Sequence, residues 1–353
     1  MKIHYFKSHH NPKLRLAIFP LLRPFLKNNP IADSKRKAIY HISEKEVEFV
    51  EHIEDAEICI LTMSWNYYLD QNFFELAVAY VKKANLHGKK VWTWMSGDFG
   101  IPLQLKGDYV VFRSSGLKSQ LSSQHLGMPV FIKDPLQEIY DSSKFSLPTY
   151  GARPIVGFCG QASAGFSQCL KEIVLIIRHI LKFKLGILQT TPQPIQSTSL
   201  VRSKILNSIE KDEGVKSNFI QRKKYRAGIA SSKERLTHKT TQAFFDNMLA
   251  SHYILCVRGG GNFSVRFYET LAMGRIPVFV NTDCLLPLED EIDWKKNCVW
   301  VEFEERKQIA KKVIAFHKSH TKESLFQLMK ENREIWERTM RIGLFFRNIK
   351  IND

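Results

Sequence analysis

No stretch of these 353 residues approaches the roughly 20 consecutive apolar residues that a membrane-spanning helix needs. The six cysteines, at 59, 159, 169, 256, 284 and 298, include no Cys-x-x-Cys pair, so neither a disulfide framework nor a zinc cluster is implied. Cys59 and Cys256 fall in apolar, strand-like runs where a buried free thiol is the default, and a reducing cytoplasm suits the set. There is no Asp-x-Asp pair, and no His/Cys cluster has convincing ligand spacing. His317 and His320 share a helical face and are expected to be solvated. The expectation is therefore no metal and no cofactor. Low-complexity tracts and internal repeats are also missing. The first thirty residues are basic, carry prolines at 12, 20, 24 and 30, and offer no small-residue cleavage site; they read as a mature N-terminus rather than a signal peptide.

What is present is an alternation of strand-like and helix-like runs. A hydrophobic fraction of 44% is enough for proper cores, and the length suits two domains. Lys2 to Phe6, Ile58 to Thr62, VWTWM at 91–95, Tyr109 to Phe112 and Val130 to Ile132 read as short strands, with a helix over Phe73 to Ala84. A stretch with little periodicity runs from Lys133 to Arg153. Beyond it come the strand IVGFCG, a helix over Gln168 to Phe183, a loop rich in Pro, Ser and Thr around 190–199, and a helix near Leu200 to Ile209. A charged segment and a helix over Thr240 to Leu249 follow, and the end of the chain from Glu305 is mostly helical. Strand–helix alternation in two halves predicts an α/β fold of two doubly wound domains facing a cleft.

The most informative run is YILCVRGGGNFSVRFYETLAMGRIPVFV, residues 253–280. It reads as strand, glycine-rich turn, helix, glycine stop, strand. Gly259, Gly260 and Gly261 let the backbone lie close to a ligand. Asn262 or Ser264 caps the helix and Gly274 ends it. Free N–H groups at such a helix start suit a phosphate, and Arg258 and Arg266 place two guanidinium groups where they could reach one anion. Glu269, a turn further on, is placed to accept hydrogen bonds from ribose hydroxyls. Taken singly, the glycines also fit a plain loop and the charged residues a solvated helical face.

The full string RGGGNFSVRFYETLAMGRIPVF closely resembles the signature of exostosin-like glycosyltransferases (glycosyltransferase family 47), in the short, single-module bacterial form. The resemblance extends through Asp283, Leu286-Pro287 and Ile292-Asp293-Trp294, and back to NFIQRKKYRAG from Asn218. PIVGFCGQAS at 154–163 looks like the family's opening of the second domain, and KKVWTWMSGDFG at 89–100 like its strand ending in a Gly-Asp turn. What this implies is a GT-B architecture. Residues 1–150 would bind the acceptor, residues 151–330 the nucleotide-sugar, and residues 331–353 would pack back on the first domain as part of a long terminal helical region that includes Phe326 and Trp336.

The implied activity is transfer of a sugar from a UDP- or GDP-linked donor to a glycan or lipid-linked saccharide, inverting and metal-independent, in polysaccharide biosynthesis. Charge on the leaving diphosphate would be met by Arg258, by the amides of Gly259 to Asn262 and by Arg266, with Arg202 and Arg222 as further candidates. Asp98, in the MSGDFG turn, is the first candidate for the base that takes the acceptor proton; the same residue would serve simply to shape the turn. Trp65, His9 and His10 are candidates for lining the acceptor side. A fucosyltransferase-like GT-B enzyme and a non-catalytic glycan- or anionic-surface-binding protein are the alternatives.

The formal net charge of +17 is mostly a solvated basic surface. Its excess suits a basic cleft for a nucleotide-sugar, or contact with anionic lipid at the inner face of a membrane for a cytoplasmic enzyme. Nucleic acid is not an expected partner, since no helix-turn-helix, zinc-finger or RNA-recognition signature is present.

Overall fold

The structure, a computed structural model, describes residues 1–27, 29–141, 146–162, 165–222 and 238–350. Residues 223–228 (KKYRAG) and Ser163 of the family-like segments lie outside that set, as does the end of the chain from 351.

Two all-parallel sheets carry the architecture. The first has the order β2-β1-β3-β4-β5-β6, with β1 at Lys2–Tyr5, β2 at Glu48–Phe49, β3 at Ile58–Ile60, β4 at Val91–Met95, β5 at Tyr109–Arg113 and β6 at His125–Gly127. The second has the order β11-β10-β9-β7-β8, with β7 at Ile155–Gln161, β8 at Lys216–Arg222, β9 at Tyr253–Cys256, β10 at Ile276–Asn281 and β11 at Val299–Glu302. Crossover segments connect the parallel strands, some helical, such as the helix Phe74–Leu86 before β4, and some loops, such as residues 96–108 between β4 and β5. Strand β4 is buried at all five positions, as is expected of a parallel strand covered on both faces. Two Rossmann-like units of this kind form a GT-B type fold.

In each sheet the chain first builds to one side and then reverses. The switch lies between β1 and β3 in the first sheet and between β7 and β9 in the second. Ligands of open parallel sheets bind at such crevices, beyond the carboxyl ends of the strands. The turn after β9 occupies that position in the second sheet.

The expected strand at Val130 to Ile132 is not formed. The edge of the first sheet is His125–Gly127, whose end makes a bridge to Pro287 of the second unit. The charged segment before the signature holds an unanticipated edge strand, β8, whose polar KSNFIQR sequence suits a strand with one side open. Phe345 and Phe346, on the helix Ile342–Asn348, are buried in the core of the first sheet. Phe326 and Trp336 pack instead in clusters of the second.

His317, expected to be solvated, is buried. Its Nδ1 pairs with Tyr253 OH at 3.0 Å and its Nε2 with Gly151 O at 2.9 Å. Trp65, expected to line the acceptor side, is wholly buried in the first core beside Phe74.

Candidate functional site

The signature folds as strand, turn and helix. Strand β9 ends at Cys256, and the helix runs from Val265 to Ala272 with Ser264 at its N-cap. The Ser264 side chain is buried and makes no capping hydrogen bond. Gly274, at φ +59°, takes the left-handed stop. Its N–H donates to Leu271 O and the next N–H, of Arg275, donates to Thr270 O, which closes a Schellman cap.

Between β9 and the helix, the glycine turn meets the first unit. A Cβ on Gly260 would lie 3.1 Å from Asp98 Oδ2, and one on Gly261 would lie 3.0 Å from Asp98 Cα. At Gly261 the turn therefore needs glycine, because the Phe263 ring and the Asp98 backbone both lie against it. Asp98 follows β4, so the carboxyl ends of the two sheets face each other at this point. Ser115, just after β5, joins them: its hydroxyl donates to Asp98 O at 2.8 Å and accepts from Asn262 N–H at 2.9 Å.

Asn262 is fully buried. Its amide donates to Gly116 O, Thr282 O and Asp283 O, each at 2.9 Å, and its Oδ1 accepts from the Thr282 hydroxyl at 2.7 Å. It latches the two units together. Its N–H is thus already committed, and Gly259 N–H is bound to Phe263 O at 3.1 Å. Of the amides expected to meet an anion, Gly260 and Gly261 are the two with no hydrogen-bond acceptor among the described residues.

Arg258 is buried beside this turn. Its Nη2 donates to Gln193 Oε1 and, at 3.3 Å, to Gly260 O, while its Nε has no partner among the described residues. Burial lowers its pKa, and the charges of Cys284 and Asp98 oppose that shift. Loss of water raises the Asp98 carboxyl above the ordinary carboxylate value, against the pull of the Arg258 cation. Arg202, on the helix Thr198–Glu210, braces the same place by donating to Arg258 O at 2.7 Å and to Gln161 O at 3.3 Å.

Arg266 and Arg222 form a second group at the end of β7. Arg266 Nη2 donates to Cys159 O at 2.9 Å and its guanidinium lies 4.4 Å over the Phe158 ring. Its Nε is buried without a partner among the described residues. Arg222 donates to Thr240 O at 2.6 Å, and its charge acts on Arg266. Glu269 also interacts electrostatically with Arg266. The structure thus gathers Asp98, Arg202, Arg258 and the glycine turn in one cluster, with Arg222, Arg266 and Glu269 in a neighbouring one, linked through residues 159–161 of β7.

Two participants escaped the sequence reading. Gln193 lies between Pro192 and Pro194 in a loop that also donates Thr191 N–H to Gly100 O at 2.7 Å. A polar residue held between two prolines is the one local signal that could have drawn attention to it. Ser115 stands in Ser-Ser-Gly directly after a strand, a position where a parallel sheet presents side chains to a ligand crevice.

The class is defined by these features together with one family match. The Exostosin GT47 domain model matches residues 190–315, the stretch that contains Gln193, Arg202, Arg222 and the whole signature. Residues 190–315 are therefore similar to an Exostosin GT47 domain, and the two parallel sheets give a GT-B type fold. Among curated proteins, Exostosin-1 of Drosophila melanogaster is 33% identical over 88 residues, which is 25% of this chain and 11% of that protein. Two solved structures of TarM, one of them from S. aureus with Fondaparinux, alpha-GlcNAc-glycerol and UDP, align over 82% of this chain at 10% and 11% identity. Their TM-scores are 0.35 and 0.36, and the chain spans 54% and 53% of theirs. At that level the alignments add nothing to the fold assignment, which stands on the two parallel sheets.

Proposed function

We propose that this chain is a glycosyltransferase that moves a sugar from a nucleoside-diphosphate sugar, UDP- or GDP-linked, to a glycan or lipid-linked saccharide in polysaccharide biosynthesis. The observation that carries the reading is the glycine turn at the switch point of the second sheet. There two open amides and the cationic Arg258 lie against Asp98 of the opposing sheet.

In this reading residues 151–330 hold the nucleotide and residues 1–150 the acceptor. The diphosphate lies on Gly260, Gly261 and Arg258, with Arg202 holding the Arg258 backbone in place and Arg266 and Arg222 adding positive charge. Negative charge growing on the leaving diphosphate is met by groups already oriented towards it. Asp98 accepts the proton of the attacking hydroxyl, and its raised pKa brings it closer to a working base strength. Displacement on the face opposite the leaving group inverts the anomeric centre, and charge neutralisation by the guanidinium groups and amides makes a metal unnecessary. Glu269 is assigned to the ribose hydroxyls. Among the described residues, no helix is long and apolar enough to cross a membrane, and contact with a lipid-linked acceptor would be peripheral.

The test is calorimetry with UDP, GDP and CDP, each beside its parent nucleoside. One nucleoside diphosphate should bind the wild type selectively. Arg258→Ala should weaken that binding roughly 10- to 100-fold, the effect of one charge-assisted hydrogen bond, and leave nucleoside binding unchanged. A folded wild type that binds none of the three would remove the reading.

A further inference from the structure

The helix Phe166–Lys184 follows β7 directly, and none of its described residues is buried. Its outward side carries Phe166, Leu170, Val174, Ile177, Leu181 and, at the C-cap, Leu185, exposed by 82%, 49%, 53%, 41%, 55% and 72%. At 3.6 residues per turn these positions fall within about 100° of arc. Lys171, Arg178 and Lys182 line one edge of that stripe, all within about 40° of one another. The inward side is anchored. Glu172, the helix's one acidic residue, accepts from Ser197 Oγ at 2.7 Å and Ser199 N at 3.3 Å, and His179 pairs with Thr190 O at 2.9 Å.

We propose that this helix is an interfacial docking element that lays its apolar stripe into an anionic lipid surface, with Lys171, Arg178 and Lys182 on the headgroups. Charge complementarity favours this occupant. An apolar stripe with cations along one edge and Lys184 at its C-terminal end, and no outward acidic residue, on a chain of net charge +17, matches a surface that is apolar within and negative at its rim. A second copy of the chain is the other natural cover for a stripe with this 4-4-3-4-4 spacing. It would bring basic edges together with no outward acidic residue on either helix to pair them, which opposes association.

Docking here sets the candidate site beside the membrane. His179 on this helix lies edge-on to Phe99, with ring centroids 5.0 Å apart, next to Asp98. The helix also leads into the loop that carries Gln193, the partner of Arg258. Delivery of a lipid-linked acceptor to Asp98 rests on the transferase reading; docking itself does not.

The experiment is flotation of the full chain with extruded vesicles of phosphatidylcholine alone or with 30% phosphatidylglycerol, at low and high salt, without nucleotide. The wild type should float with the anionic vesicles, and high salt should weaken the binding. Lys171→Gln/Arg178→Gln/Lys182→Gln should weaken it about a hundredfold, and Leu170→Glu/Leu181→Glu should abolish it. Both variants should keep the wild-type melting temperature. No flotation of the wild type, or equal flotation of the variants, would overturn the proposal. So would a concentration-dependent wild-type dimer in light scattering that Leu170→Glu/Leu181→Glu dissolves, since the stripe would then be a contact between copies. Nucleotide binding measured in parallel separates the two proposals: vesicle binding without it leaves docking standing and removes transfer, and the converse removes docking alone.

Discussion

Asn262→Ala should destabilise the protein far more than a surface substitution, because one side chain closes hydrogen bonds to two separate segments, one in each unit. Its amide serves Gly116 O of the first unit and Thr282 O and Asp283 O of the second, all at 2.9 Å, and it also accepts the Thr282 hydroxyl. The residue is completely buried, so no water stands ready to replace it. Three carbonyls and a hydroxyl lose this partner together. At about 1 kcal/mol for each net hydrogen bond, and up to 3 for a group left dry, the cost is about 3–6 kcal/mol. That is a large share of the roughly 5–15 kcal/mol by which a folded domain is stable. Urea titration followed by tryptophan fluorescence and far-ultraviolet dichroism measures it. The wild type should unfold in one transition. The variant should unfold earlier and with the two units separated into distinct steps, since Gly116 is held across the interface. A loss below about 1 kcal/mol with a single transition retained would refute this account of the latch.

Three further outcomes follow from the same geometry. Gly261→Ala should impair turnover more than Gly260→Ala, because its Cβ would press on the Phe263 ring at 2.6 Å and on the Asp98 backbone at 3.0 Å whereas the Gly260 Cβ would meet only the Asp98 side chain, nearest at 3.1 Å; steady-state kinetics of both variants decides it. Ser115→Ala should cost about 1–3 kcal/mol in thermal unfolding, since it leaves Asp98 O and Asn262 N–H without their shared partner. Stability should also fall as pH drops from about 6.5 towards about 4. His252 is fully buried, accepts Ile155 N–H on Nδ1 and holds Thr149 O with Nε2–H, so it is neutral. Burial, with a smaller contribution from His317, lowers its pKa to about 4. The unfolded chain takes up that proton first, so stability present above 6.5 is lost on the acid side, on the order of 3 kcal/mol for this group. Urea midpoints measured between pH 4 and 8 for the wild type and His252→Gln test it, and an unchanged slope in the variant would clear His252.

Much of the fold was readable because parallel strands buried on both faces leave short, dense apolar runs. VWTWM, YILCV and IPVFV are each a short, dense run bounded by polar or charged residues, and each holds a strand. Strand β8 was not readable, because KSNFIQR is an edge strand whose pairing on one side with β7 leaves its residues half-exposed and without a strand-like pattern. Val130 to Ile132 has strand composition but lies beyond the last ladder position, at Gly127. Composition therefore marked the partial burial of that segment and not its pairing.

Within the candidate site, the glycine turn and Arg258 were visible because their roles are local. Asp98 was expected only to face the cleft from the first half of the chain; its approach to Gly260 is seen in the structure. Ser115 and Gln193 were invisible because they act across 147 and 65 positions of sequence respectively. Asn262 was expected to offer its amide to an anion. Only contacts from the other unit reveal that the amide is already in use.

The central claim is that the glycine turn, Arg258 and Asp98 form one centre for sugar transfer. Its most direct measurement is release of nucleoside diphosphate from a panel of nucleotide-sugars, in the presence of mixed saccharide acceptors, by the wild type and Asp98→Asn across pH 4 to 9. The account predicts that the wild type releases one nucleoside diphosphate, with an acidic limb lying above the ordinary carboxylate value. Asp98→Asn should bind the same donor but turn over roughly 100-fold or more slowly, and the limb should vanish. Wild-type turnover by Asp98→Asn with its acidic limb intact, or no release from any donor by a folded wild type, would contradict it.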